Sequence, residues 1–116
     1  MKDDFREFVP LSPAALHILL ALASEDRHGY GIMREIDRQS DGRYKLGPGT
    51  LYDNLQKLLD HGIVEERSPG SSGDDPRRRY YRLSRFGRGL LATEIARLEA
   101  LVREARQHLK IRPVRA

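Results

Sequence analysis

Between positions 77 and 88 the chain carries six arginines, at Arg77, Arg78, Arg79, Arg82, Arg85 and Arg88, and no acid interrupts them; the next carboxylate is Glu94. Guanidinium groups keep their charge at any physiological pH and match phosphate oxygens with a planar fork of donors. Such a run on an otherwise mixed surface suggests a polyanionic partner, most often nucleic acid. A second group is Gly47-Pro48-Gly49-Thr50. Its glycines keep side chains away from a helix start, where free N–H groups and the helix dipole favour an anion. Catalytic chemistry lacks its residues. There is no Cys, which excludes thiolate metal sites, disulfides and cysteine nucleophiles. His17, His28, His61 and His108 are scattered, and no two sit at a metal-ligand spacing with a carboxylate nearby. Neither a phosphate-binding glycine loop with its lysine nor a serine elbow occurs. The chain is expected to be no enzyme and to need no metal or cofactor.

The elements that must position these residues belong to a short chain. Its 116 residues suit one domain, and 39% hydrophobic with 33% charged residues fits a folded domain with a real core. Net charge is +4. The longest apolar run, residues 16–23, contains His17 and is too short to span a bilayer. The N-terminus has mixed charge and no small-residue cleavage site, so a cytoplasmic protein without a membrane partner is expected.

Residues 1–10 hold no period and read as an N-terminal arm. Ser12-Pro13 pairs a good N-cap with a proline suited to the first helical position. Residues 14–24 then form a helix with Leu16, Leu19, Leu20 and Ala23 at core spacing. Residues 25–28 are polar and break it. A second helix fits residues 29–39, where Ile32, Met33 and Ile36 share a face. A third begins at Pro48, shows Leu51, Leu55, Leu58 and Leu59 at helical spacing, and ends at Gly62, which suits a left-handed residue. Residues 63–67 and 77–83 then read as two strands around a Gly/Pro/Asp loop, a hairpin with a long tip. Ser84 caps a last helix whose Leu91, Ile95, Leu98, Val102, Ala105 and Leu109 alternate four and three apart, the seam of a coiled coil. Pro113 stops it, and residues 111–116 read as a frayed tail.

Three helices followed by a hairpin is the order of a winged helix-turn-helix domain, here residues 11–83 with the wing at 63–83. The fold class expected is mainly α with a small β-hairpin, plus a dimerisation helix over residues 84–110. At about 100° per residue, the third helix buries its leucines and turns Gly49, Thr50, Asp53, Lys57 and Asp60 outward, with Asn54 and Gln56 on the flanks and Tyr52 at the boundary. That face suits a major groove, and equally an ordinary surface helix. In the wing strand, alternation points Tyr81 and Leu83 to the core and Arg78, Tyr80 and Arg82 outward. Those arginines can reach phosphates or a minor groove, or guard an edge strand against aggregation. The absence of acids in the run favours the nucleic acid. A winged helix that binds a partner protein instead would show an apolar third helix and no basic wing. The last helix can pair with a second copy, fold back on its own domain or lie on a membrane. Its interleaved acids and arginines weaken the membrane reading, and two-fold pairing would double the DNA contacts of a homodimer on an inverted-repeat operator.

Four stretches together carry a specific resemblance: His28-Gly29-Tyr30-Gly31-Ile32, Gly47-Pro48-Gly49-Thr50-Leu51-Tyr52, residues 58–64 (LLDHGIV), and Arg77-Arg78-Arg79-Tyr80-Tyr81-Arg82-Leu83-Ser84 with Gly87. Over residues 11–87 the chain resembles the PadR family of transcriptional regulators. The resemblance implies a winged helix domain, a C-terminal homodimerisation helix and repression of a nearby promoter. It places the DNA-facing start of the third helix at Pro48, Gly49, Thr50, Tyr52, Asn54 and Lys57, with Arg77, Arg78 and Arg79 in the wing; Lys45 and Asp53 complete the expected DNA-binding set. It also implies a structural role for residues 28–30, with Tyr30 packing near the third helix. Many members have proline at the position of Asp53, so this acid either accepts from a cytosine amino group or turns away. The chain has no Trp and its last helix no Phe, Tyr or Trp after Phe86, so a flat-ligand pocket between protomers is unsupported and the sequence names no small-molecule effector.

Overall fold

Three of the four described helices begin at a side chain that caps them. The computed structural model describes residues 4–70 and 73–110. The elements run α1 (Pro13–Leu22), β1 (Arg27–His28), α2 (Gly29–Gln39), α3 (Pro48–Asp60), β2 (Val64–Arg67), β3 (Tyr80–Leu83) and α4 (Arg85–Leu109). Ser12 Oγ accepts from Ala15 N–H at 3.1 Å, His28 Nδ1 from Gly31 N–H at 3.0 Å, and Ser84 Oγ from Gly87 N–H at 2.9 Å. Each side chain satisfies one of the donors that a helix start leaves unpaired. After α3, Gly62 takes the left-handed conformation at φ +71°, as expected. α4 ends at Leu109, with Lys110 left-handed as its C-cap. Pro113 and the tail 111–116 lie outside the described residues.

Helices α1, α2 and α3 enclose a core centred on Ile18, Leu19, Leu22, Ile32, Ile36, Leu51 and Leu55. α1 is buried on more of its surface than one stripe predicts, because Ala15, Ile18, Ala21 and Leu22 join Leu19 inside while Leu16, Leu20 and Ala23 are only partly covered. The sheet also exceeds the expected hairpin. Residues 27–28, which look like a polar break, form a third strand, and the antiparallel order is β1-β3-β2. Tyr80 lies opposite both His28 and Arg67, and Tyr81 opposite both Arg27 and Glu66. A two-residue strand is too short to show a period, so pattern alone could not reveal it.

The N-terminal arm and α4 are tied to this core. Phe5 and Phe8 pack on Phe86, with ring centroids 5.1 and 5.7 Å apart. Glu94, only 1% exposed, accepts from Leu11 N–H at 2.8 Å and from Arg97 Nε at 2.6 Å and Nη2 at 3.0 Å. The hydrogen bonds from Arg97 hold its carboxyl below the usual range, against the burial that would raise it. Because the folded pKa is depressed, this contribution is complete above the unfolded carboxyl value and fades as pH falls through the folded one. Glu94→Ala should lower the unfolding free energy by about 2–3 kcal/mol at pH 7, since it strands the Leu11 donor. Urea melts should show the gap between wild type and Glu94→Gln narrowing below about pH 4.5; a gap that stays constant down to about pH 3 would contradict the assignment.

Candidate nucleic-acid interface

Helix α3 presents its start openly. Pro48, Gly49 and Thr50 are exposed, no side chain caps the helix behind Gly47, and a Cβ at Gly47 or Gly49 would meet nothing within 4 Å. Its first amide donors therefore face outward without an internal acceptor. The leucine face is buried as the wheel predicts, and Tyr52, Asp53 and Lys57 are exposed. Asn54 is half-covered and gives its amide to Thr50 O at 2.9 Å. Lys45, on the connector before α3, is exposed, with Nζ 3.9 Å from Asp37.

The residues proposed from sequence separate onto two sides of this helix. Tyr52 joins Arg77, Arg78 and Arg79 in lining one cleft of about 340 Å³, with His28 and Gly29 at its base. Asn54 and Lys57 line another, of about 250 Å³, against Phe8, Ser12 and His61. The α4 seam is elsewhere: Leu91 is buried in the domain, Ile95 and Leu98 are half-buried, and Val102, Ala105 and Leu109 are exposed.

A glycine makes the first cleft possible. The hydroxyl end of Tyr52 rests on Gly29, where any Cβ would overlap it. One residue earlier, the His28 ring caps α2 and its Nδ1 also lies 3.2 Å from Arg78 Nη1. The one lone pair of Nδ1 thus faces both donors, and the proton belongs on Nε2. Burial, then the Arg78 charge, push the His28 pKa below its usual value and favour that neutral form.

The wing departs from expectation in two ways. Tyr80 is buried rather than outward. Its hydroxyl accepts from Asp75 N–H at 2.8 Å, the Arg67 guanidinium covers its ring at 4.9 Å, and the His28 ring meets its edge at 5.5 Å. The sheet face that alternation leaves to solvent is therefore roofed by side chains. Moreover, the arginine run is free of acids only in sequence. Arg77 and Arg78 both reach Asp75, at 3.3 and 3.4 Å, while Arg79 meets Glu66 at 3.4 Å and Arg82 meets Glu65 at 3.2 Å across the strands. Arg77, Arg78 and Arg79 also precede β3 in a turn instead of extending it. Exposed pairs of this kind are weak and screened by salt, so each guanidinium can exchange a carboxylate for a phosphate.

Two features escape sequence reasoning. Arg67 braces the wing base, donating to Asp26 at 2.7 Å and to Asp74 at 2.9 Å; Asp26 is 41 positions away, and no local pattern joins them. Tyr30 does not pack near α3. It is 52% exposed and lies among His28, Arg34 and Arg78, and it is Tyr52 that makes the contact between α3 and the start of α2.

A helical triad whose third helix has an open start, beside a three-stranded sheet with an arginine-bearing loop, defines a winged helix-turn-helix protein. The model of the transcriptional regulator PadR-like family matches residues 18–93, and the chain belongs to that family. It is accordingly a transcriptional regulator, in a family of regulators and not of enzymes. Among relatives, it is 36% identical over 91 residues to the transcriptional regulator Rv3488 of Mycobacterium tuberculosis, covering 77% of this chain and 78% of that one. Its fold is similar to a transcriptional regulator from Clostridium thermocellum, with TM-score 0.67, 23% identity, and 92% and 96% of the two chains covered. It is also similar to Bacillus subtilis PadR solved in complex with operator DNA, with TM-score 0.59, 21% identity, and 70% and 46% covered. Among the described residues no helix is long and apolar enough to cross a membrane, and no group of three or more His, Asp or Glu could hold a metal ion.

The contact at Gly29 yields a coupling that can be measured. Gly29→Ala should cost no more than about 1 kcal/mol, because the half-exposed Tyr52 can swing aside. The same substitution in a Tyr52→Ala background should cost at least about 0.5 kcal/mol less. Urea unfolding of the four proteins of this cycle provides the test, and additivity within about 0.3 kcal/mol would remove the contact.

Proposed function

We propose that the chain is a sequence-specific double-stranded DNA-binding repressor acting as a homodimer. The start of α3 enters a major groove, where exposed Thr50, Tyr52 and Asp53 face base edges and backbone, and the wing arginines lie on the backbone or in the adjoining minor groove. The observation that carries this reading is the common cleft of Tyr52 with Arg77, Arg78 and Arg79. It gives one surface with hydrogen-bonding groups beside concentrated cations, the two components a duplex requires. Family membership supports DNA as the partner, and a cytoplasmic location follows from that partner.

Dimerisation through the far half of α4 is supported by apolar residues the domain leaves uncovered: Leu101, Val102 and Leu109 are 55%, 51% and 67% exposed. Exposed apolar groups repeating along one helix mark an interaction face. Two copies would set their α3 helices about 34 Å apart, on half-sites about ten base pairs apart in an inverted repeat. Lys45, Asn54 and Lys57 remain candidates for flanking phosphates. Nothing in the α4 seam suggests an aromatic effector site.

Replacing Arg77, Arg78 and Arg79 together by alanine should weaken binding to all duplexes and lower the slope of log K against log salt by about 2–3, as each lost phosphate contact removes about 0.9. Fluorescence anisotropy between 50 and 300 mM KCl (about the range where counterion release dominates) reads this directly. An unchanged slope would remove the wing from the interface. In sedimentation, the Val102→Lys, Leu109→Lys variant should run as a monomer; a persisting dimer would refute the far half of α4 as the interface.

A further inference from the structure

Tyr30 is a large aromatic ring that the core does not use. It stands on the first turn of α2, with the Arg34 guanidinium 5.8 Å from its centroid and that of Arg78 5.9 Å away. Both distances fall within cation–π range. Two guanidinium groups therefore lie against one exposed ring, and that of Arg78 is also paired with Asp75 at 3.4 Å. Among the described residues Arg34 has no carboxylate partner. Below it, a shallow depression of about 730 Å³ runs along the outer face of α2 to Lys45. Its acids are largely committed. Glu35 is held by Arg38 at 2.6 Å and Gln39 at 2.9 Å, with Arg27 at 3.6 Å, and Asp37 stands 3.9 Å from Lys45. The depression adjoins the wing cleft at the first turn of α2: His28 and Gly29 line the cleft, and Tyr30 and Gly31 line the depression. Arg78 reaches both, through His28 Nδ1 and over the Tyr30 ring.

We propose that Tyr30 and Arg34 bind a backbone phosphate of the duplex, extending the interface past the wing along the outer face of α2. The inference rests on the DNA-binding reading above. The Tyr30 hydroxyl donates one hydrogen bond and the Arg34 fork supplies charge and two more donors, a pairing that suits phosphate oxygens and carries no base preference. Lys45, further along the same depression, adds charge.

The test compares the full-length protein with Arg34→Ala, Arg34→Lys and Tyr30→Phe on one 30-base-pair duplex of mixed sequence (about three helical turns). Arg34→Ala should lower the salt slope by about 0.9 and weaken binding about fivefold at 0.15 M salt. Arg34→Lys should restore the slope, because the charge is kept. Tyr30→Phe should keep the slope and weaken binding about two- to tenfold. All three side-chain changes are on the surface, and circular dichroism verifies the fold of each variant. Arg34→Ala with wild-type slope and affinity, while the triple wing variant loses both, would overturn this inference and leave the wing reading intact. A wild-type protein that binds no duplex at low salt would overturn the reading beneath it.

Discussion

The contact of Tyr52 with the bare Cα of Gly29 shapes the cleft on which the proposed interface is built. Because no side chain stands there, Tyr52 can lay its hydroxyl end over the start of α2, beside the wing arginines that line the same cleft. His28, adjacent in sequence, caps α2 and accepts from Arg78 with the same nitrogen. Tyr30, the next residue along, meets Arg34 and Arg78. Three consecutive residues therefore join the helix that would read DNA, the helix behind it and the wing. Substitution at this junction should disturb all three, although none of its members lies in the main hydrophobic core.

The wing is held by a different kind of interaction at its base from that at its tip. At the base, Arg67 is 19% exposed and bonded to two carboxylates whose own exposure is 33% and 15%, with Tyr80 packed against its guanidinium. Partial burial with several partners makes this an anchor, since losing one partner would leave charge poorly solvated. At the tip, Arg77 and Arg79 are 88% and 77% exposed and pair with Asp75 and Glu66 respectively. Water and salt weaken these pairs. The loop is thus fixed near the sheet and exchangeable where a phosphate would arrive.

Helix starts are legible in the sequence because their signals are local: Ser12, Gly47-Pro48 and Ser84 sit where helices begin. The buried face of α3 was equally legible, since leucines at helical spacing have one way to turn inward. Tyr80 was not. Alternation assumes that one face of a strand is open, and Arg67 and His28 close it from outside the strand. The acids opposing the arginines were hidden for the same reason, because pairing of β2 with β3 brings Glu65 and Glu66 beside residues more than ten positions away. Tyr30 shows the complementary error: the family resemblance implied a packing role near α3, which geometry gives to Tyr52. Burial of Glu94 has no local signature either, as its partner Leu11 lies 83 positions away.

The central claim is that α3 and the wing engage one duplex from a single face. Chemical-shift mapping of the isotopically labelled protein, titrated with duplex DNA at low ionic strength, examines both elements at once. The account predicts that the largest amide changes fall together on residues 47–53 and 77–79 and saturate at the same DNA concentration. Changes confined to one of these segments, or centred on the far half of α4, would contradict it.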